Sequence, residues 1–275
     1  METKIAIQGI KGSFHHQVAE LYFSTTVDLE ECMSFELLAK NVKESKTHKG
    51  IMALENSIAG SIIPNYALID RYDLHIVGEY YLDIHHQLMG LKGQRIEDIT
   101  EVQSHPMALL QCETFFAQYP HIKLVESNDT AETAKRIQEN NLKGMAAIAS
   151  TTAAKLYDLE ILANDIHTIK NNTTRFVIVK KERKEISKEE INKASLKFEL
   201  NDQPGTLAKV LTMMGNCGLN MTKILSLPII TTPFQYSFFV DVVFESYRDY
   251  QEAKKQLVQM TRHFKVLGEY KNGKS

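Results

Sequence analysis

The sequence contains no tryptophan, and its only cysteines, Cys32, Cys112 and Cys217, are scattered along 275 residues. An odd number of cysteines without a CxxC pair argues against a disulfide framework or zinc knuckle and for a reducing compartment. No window approaches the ~18 uninterrupted apolar residues of a membrane helix. The opening METKIAIQGI also lacks the basic segment and long apolar run of a secretion signal, so the cytoplasm is the expected location. Lys and Arg number 32 against 34 Asp and Glu, so no global field draws in nucleic acid or an anionic membrane, and neither is an expected partner. There is no GxxxxGKS/T phosphate loop, no HExxH, and no GxGxxG after a strand. The pairs His15-His16 and His85-His86 splay apart on a strand or a helix alike, so neither is expected to hold a metal.

What is present is the composition of an ordinary globular protein, 43% apolar and 24% charged, with chain enough for one large core or two smaller ones. One segment breaks the pattern. Residues 180–193 read KKERKEISKEEINK, both charge signs with almost nothing to bury, and are expected to form an exposed linker. The chain divides there into a first part, residues 1–185, and a second, residues 194–272.

The first part alternates β-rich and helical patterns. Strands are expected at 3–9, 49–56, 101–104, 122–126 and 145–150, and helices at 14–23, 34–44, 58–70, 107–119, 130–140 and 151–158. This pitch means βαβ units and an α/β fold with mainly parallel sheets. Residues 74–90 are β-rich without a helix signal and suit a strand crossing to a second lobe, with 174–181 returning. Two lobes joined by crossing strands leave a cleft between them. The second part reads strand 194–201, helix 206–218, strands 220–229 and 235–244, helix 250–263 and strand 264–270. This β-α-β-β-α-β order is that of ferredoxin-like domains. Its open sheet edges are expected to pair with a second subunit, as a homodimer or homotetramer.

Small polar residues gather where strands of the first part end: Gly9 to Phe14, Glu55-Asn56-Ser57, Ser104-His105-Pro106 and Ser150-Thr151-Thr152. Each can be read as a helix cap. Together they suit a cleft for a small dicarboxylate, because ligands of open α/β sheets sit at the carboxyl ends of strands, against helix N-termini. Arg175, a cation in the apolar run 174–179, reads either as a strand-end arginine in solvent or as a bidentate carboxylate clamp.

Taken in register, these segments resemble the prephenate dehydratase family over nearly the whole chain. Gly9 to Phe14 resembles its glycine turn, Glu55 to Gly60 its ENSxxG segment, and Ser104-His105-Pro106 with Gln111-Cys112 its SHPxALxQC motif. Residues 146–150 are similar to its AAIAS segment, and Asn172-Thr173-Thr174-Arg175-Phe176 to its NxTRF motif. Residues 194–271 resemble an ACT domain, a phenylalanine-sensing module. The resemblance implies two lobes like those of periplasmic binding proteins, a ferredoxin-like ACT domain, and a carbon–oxygen lyase without cofactor. Its reaction is prephenate to phenylpyruvate, carbon dioxide and water, in phenylalanine biosynthesis. It further implies catalytic roles for Thr174 and Arg175 and substrate contacts from Ser13, Asn56, Ser57, Ser104, His105, Ser150, Asn172 and Phe176. Glu55 would orient Asn56 or another donor.

The chain departs from this pattern in two places. Ile10, Ser13 and His15 stand where the glycine turn of the family has proline, threonine and serine. In the ACT segments, Gly205-Thr206-Leu207 replaces GAL, and Leu225-Ser226-Leu227-Pro228 replaces ESRP. Gly205, Thr206, Leu207, Asn220, Leu225 and Ser226 are the residues expected to meet phenylalanine as effector. Loss of the glutamate and arginine predicts feedback that is weak, altered or absent. Two other readings remain at this stage: a non-catalytic cytoplasmic ligand sensor, and a dehydratase acting on arogenate.

Overall fold

The computed structural model describes residues 3–24, 27–183, 186–229 and 231–274. The boundary expected at residue 185 falls outside them. In chain order the elements are β1 (Lys4–Gln8), α1 (Phe14–Phe23), β2 (Asp28–Cys32), α2 (Phe35–Lys43), β3 (Lys49–Asn56), β4 (Gly60–Ser61), α3 (Ile63–Arg71) and β5 (His75–Asp83). Next come β6 (Gln87–Gly90), β7 (Glu101–Ser104), α4 (Pro106–Gln111), α5 (Glu113–Phe116), β8 (Lys123–Glu126), α6 (Thr130–Glu139), β9 (Met145–Ala149), α7 (Thr151–Leu156), β10 (Glu160–Ala163) and β11 (Thr173–Lys180). The last are β12 (Lys193–Glu199), α8 (Thr206–Asn216), β13 (Asn220–Pro228), β14 (Tyr236–Val243), α9 (Tyr247–Met260) and β15 (Arg262–Tyr270). This is the α/β fold expected.

Helix starts follow local chemistry. Ser13, Ser34, Asp129, Ser150 and Ser246 each accept a backbone N–H as N-caps of α1, α2, α6, α7 and α9. The helix expected over 58–70 begins only at Ile63. Gly60 has φ +82, and Asn56 pairs with Gly60 across a tight β3–β4 hairpin, so the helix waits for Pro64 in its first turn. Strands β2 and β10 were not expected; charge in Asp28–Cys32 hides the first, and shortness the second.

The chain forms two compact units, and the first comprises residues 1–62 and 80–176. It holds two lobes. In one, parallel β1, β2 and β3 are flanked by α1 and α2 over a core that includes Ile5, Ile7, Val18, Ile51 and Phe176. In the other, the sheet order is β10-β6-β9-β7-β8, with β7 parallel to β8 and β9 and with β6 antiparallel to β9. Two segments cross between the lobes side by side: Ile84 N donates to Asn172 O at 2.6 Å, and Ile166 N to His86 O at 2.9 Å.

A second fastening is the turn after β1, where Gly9 (φ +85) and Gly12 (φ +94) adopt backbone conformations that side chains disfavour. Between them Ile10, 8% exposed, packs among Ala131, Ala149 and Ala153 of the other lobe. Ser150 Oγ donates to Gly12 O at 2.7 Å, and Tyr157 OH to Lys11 O. A methyl group on Gly12 would meet Ala153 Cα at 3.2 Å. Isoleucine in place of the turn's proline therefore acts as an apolar anchor.

The second unit joins residues 63–79 to 177–275, so it is not contiguous in sequence. Its β-α-β-β-α-β module has the sheet order β13-β14-β12-β15 and a core including Leu196, Phe198, Val240, Tyr250 and Leu257. Charge ties the earlier segment to it. Asp70 pairs with Lys197 and Lys265, and Asp73 with Lys265. Lys193, from the stretch expected to be exposed, is instead buried on Glu79, donating to both carboxylate oxygens at 2.9 Å. Breaking a buried pair leaves an uncompensated charge. Lys193→Met is expected to lower unfolding free energy by about 3–5 kcal/mol, and Glu79→Leu/Lys193→Met to recover most of it, in urea titrations. Equal losses in both variants would count against this assignment.

Candidate active site

A cavity of about 450 Å³ lies between the two lobes of the first unit. Its wall includes Ser13, Phe14 and His15 from the start of α1, Asn56 and Gly60 from the β3–β4 turn, and Ile84 and His86 from the outgoing crossing segment. His105 and Gln111 of the α4 region, Asp129 and Thr130 at the start of α6, and Thr174 and Phe176 of β11 complete it.

A chain of side-chain amides organises one side. Asn56 Oδ1 accepts from the backbone N–H of Ile58 at 2.9 Å and of Ala59 at 2.8 Å. Only the amide oxygen can accept, so Nδ2 is turned the other way. That nitrogen donates to Asn172 Oδ1 at 2.6 Å and to Thr174 Oγ1 at 2.9 Å. Asn172 Nδ2 donates in turn to Gln111 Oε1 at 2.9 Å, and His86 Nε2 lies 2.8 Å from the same oxygen. His86 Nε2 must therefore carry the proton. The Thr174 oxygen already accepts an N–H, which leaves its own O–H to donate. The Gln111 amide nitrogen is likewise left as a donor on the cavity wall.

Burial sets the charge state of the wall. Desolvation lowers His15 to about 3 and His86 to about 4, so both rings are neutral near pH 7. His15 packs edge-on to Phe35 and Phe176, with ring centroids 5.5 and 5.0 Å away. Burial raises the Asp129 carboxyl, against two backbone hydrogen bonds that favour its charged form. No lysine or arginine is among the described residues lining the cavity.

Of the residues singled out in the sequence, Ser13, Asn56, His105, Thr174 and Phe176 line this cavity. Arg175 does not. Strand alternation turns Thr174 and Phe176 to the cavity and Arg175 away from it, where it is buried and engaged within the protein. Asn172 lies one layer back, 1% exposed, behind Asn56. Ser57, at the surface, clamps the start of β11: its Oγ accepts from Thr173 N and donates to Asn171 O. Ser104 is fully buried, with its hydroxyl on Ile148 O, and Ser150 caps α7 and fastens Gly12. The hydroxyls of Ser13, Ser57, Ser104 and Ser150 all bond backbone groups, none a histidine side chain. Sequence reasoning did not assign His15, His86, Gln111 or Asp129 to the site. Gln111 stood inside a recognised motif, whereas a histidine pair and a helix-capping aspartate look ordinary before the lobes are assembled.

A profile of prephenate dehydratase matches residues 5–184. The chain belongs to the prephenate dehydratase family. It is 34% identical over 278 residues to arogenate dehydratase/prephenate dehydratase 2, chloroplastic, of Arabidopsis thaliana, covering 98% of this chain and 72% of that one. Among solved structures, GqqA, described as a quorum quenching acylase, is 28% identical with a TM-score of 0.88, covering 98% of this chain and 97% of that chain. A prephenate dehydratase from Arthrobacter aurescens, in complex with L-Phe, has the same fold at 22% identity and TM-score 0.88, covering 98% and 90%. The chains it is similar to are thus named for more than one activity. No helix among the described residues is long and apolar enough to cross a membrane.

The neutral histidines give stability a pH dependence. His15 is protonated near 6.5 when unfolded but only near 3 in the fold, so between these values the unfolded chain binds more protons. Stability then rises with pH in that window, by at most about 1.4 kcal/mol per unit from this group. His15→Phe keeps an aromatic ring between Phe35 and Phe176. Its urea midpoint is expected to fall less steeply than the wild type's from pH 6 to pH 4; an unchanged slope would show that burial does not hold His15 neutral.

Proposed function

We propose that the chain is a prephenate dehydratase, converting prephenate to phenylpyruvate with loss of carbon dioxide and water. Family membership supports the reaction, and the observation that carries the site is the Thr174 hydroxyl, fixed as a donor by Asn56 on a largely apolar cavity wall. Decarboxylation pushes electrons into the substrate ring, which becomes aromatic as the ring hydroxyl leaves. The difficult part is expulsion of hydroxide. Thr174 is too weak an acid to lose its proton outright, so its O–H stabilises the departing oxygen by hydrogen bonding or relays a proton to it. The Gln111 amide nitrogen is a second donor on the same cavity wall. Ser13 and the first turn of α1 face the carboxylates with the positive end of a helix. Arg175 enters this reading as a positioning residue that holds β11, in place of the clamp expected of it.

Residues 1–185 form the catalytic part in this reading, and residues 194–272 an ACT regulatory domain. The sheet order of the β-α-β-β-α-β module supports the second assignment. Gly205, with φ +79, caps α8, and Thr206 and Leu207 follow in its first turn. Asn220 opens β13, with half-buried Leu225 and Leu227 and exposed Ser226 further along it. Leucines in place of a glutamate and an arginine remove hydrogen-bonding and charged partners, so phenylalanine acts weakly here. Strand β13 ends the sheet order and offers an edge for a second subunit, making the protein a homo-oligomer. The engagement of Ser13, Ser57, Ser104 and Ser150 with backbone groups gives no support to a serine hydrolase reading.

The purified protein is expected to form phenylpyruvate from prephenate without added metal or cofactor, with little change at millimolar phenylalanine. Thr174→Ala should lower kcat by ~10²–10⁴-fold with a small change in KM, while Thr174→Ser retains most turnover. Near-wild-type kcat in Thr174→Ala would remove the hydroxyl from the chemistry. In sedimentation a dimer or tetramer is expected, and a monomer would reject the edge pairing.

A further inference from the structure

The charge of the cavity wall bears on which substrate it accepts. Asp129 is the only carboxylate among the described lining residues; burial raises its pKa, while two backbone N–H groups favour its charged form. Lysine and arginine are missing from these residues, and of the lining histidines, His15, His86 and His105, burial keeps the first two neutral. Asp129 Oδ1 is committed to capping α6, accepting from Ala131 N at 2.7 Å and Glu132 N at 3.1 Å. Its other oxygen, Oδ2, overhangs the glycine turn beside Ser13: a methyl group on Gly9 would come within 2.4 Å of it and within 3.5 Å of Ser13 Cβ. No hydrogen bond among the described residues engages Oδ2, and Asp129 lines the cavity. The residue is 9% exposed, so little solvent screens it.

A carboxylate is an awkward neighbour for prephenate, whose two carboxylates already make it a dianion. It is a suitable one for the counterpart in which an amino group replaces the keto oxygen of the side arm. That group is an ammonium near pH 7, a donor and a positive charge together. We propose that Asp129 is a specificity-determining residue, adding acceptance of the amino-bearing counterpart, arogenate, to the prephenate reaction of the same cavity. This inference rests on the dehydratase reading of the same cavity. The cap alone does not require aspartate, because asparagine and serine cap equally well. What aspartate adds is charge.

The test compares the full chain with Asp129→Asn and Asp129→Ser, both of which keep a capping side chain without the charge. Values of kcat/KM are measured for arogenate and prephenate, with thermal midpoints as a check on folding. The ratio of arogenate to prephenate is expected to fall at least tenfold in both variants, mainly through KM. A ratio within twofold of wild type, in variants that turn over prephenate, overturns the role of Asp129 and leaves the dehydratase reading intact. If the wild type converts neither compound, the dehydratase reading fails. The same ratio of dissociation constants, by calorimetry, then decides for Asp129: a tenfold fall supports it, while an unchanged ratio or no binding overturns it.

Discussion

The glycine turn after β1 is the constraint on which the cleft depends. Positive φ at Gly9 and Gly12 lets the backbone leave one lobe, lodge Ile10 in the apolar core of the other, and return into α1. Its carbonyls accept from Ser150 and Tyr157, so the two lobes are held by burial and by hydrogen bonds at one place. From there α1 projects Ser13, Phe14 and His15 into the cavity. The same close approach brings Asp129 over Gly9, so the packing that joins the lobes also sets the charge of the wall.

The opposite side of the cavity is built on a different principle. Amide groups have a fixed sense of donor and acceptor, and two backbone N–H groups on Asn56 Oδ1 impose that sense along the chain. Each amide has one orientation that satisfies its neighbours, so Thr174 and Gln111 present donors without the entropy of a freely rotating group. His86 closes the chain as a donor from Nε2, with its ring kept neutral by burial. The crossing segments, bonded to each other at Ile84–Asn172 and His86–Ile166, hold this array across both lobes.

The second unit is fastened by ion pairs. Glu79, Asp70 and Asp73 meet Lys193, Lys197 and Lys265 within it, one pair wholly buried. Such pairs gain little unless well aligned, and the bidentate contact of Lys193 with Glu79 meets that condition. They recruit residues 63–79 into a unit that the linear order would have assigned to the other.

Much of this was legible in the sequence. Apolar periodicity located the buried strands and both helices of the β-α-β-β-α-β module, and the family resemblance pointed to Ser13, Asn56, His105, Thr174 and Phe176, which line the cavity. Local chemistry decides such features: side-chain alternation, caps and glycine conformations need only near neighbours. The placement of Arg175 was not legible: it was read as a strand-end arginine in solvent or as a carboxylate clamp, and it is instead buried on the face of β11 away from the cavity. Neither were the burial of Lys193, the wall positions of His15, His86 and Asp129, or the fastening role of Ser150. Each depends on a partner more than sixty residues away along the chain or on the water excluded when two lobes close. Those are properties of the assembled structure: a side chain's charge and hydrogen-bonding role follow from its surroundings, and distant surroundings exist only after folding.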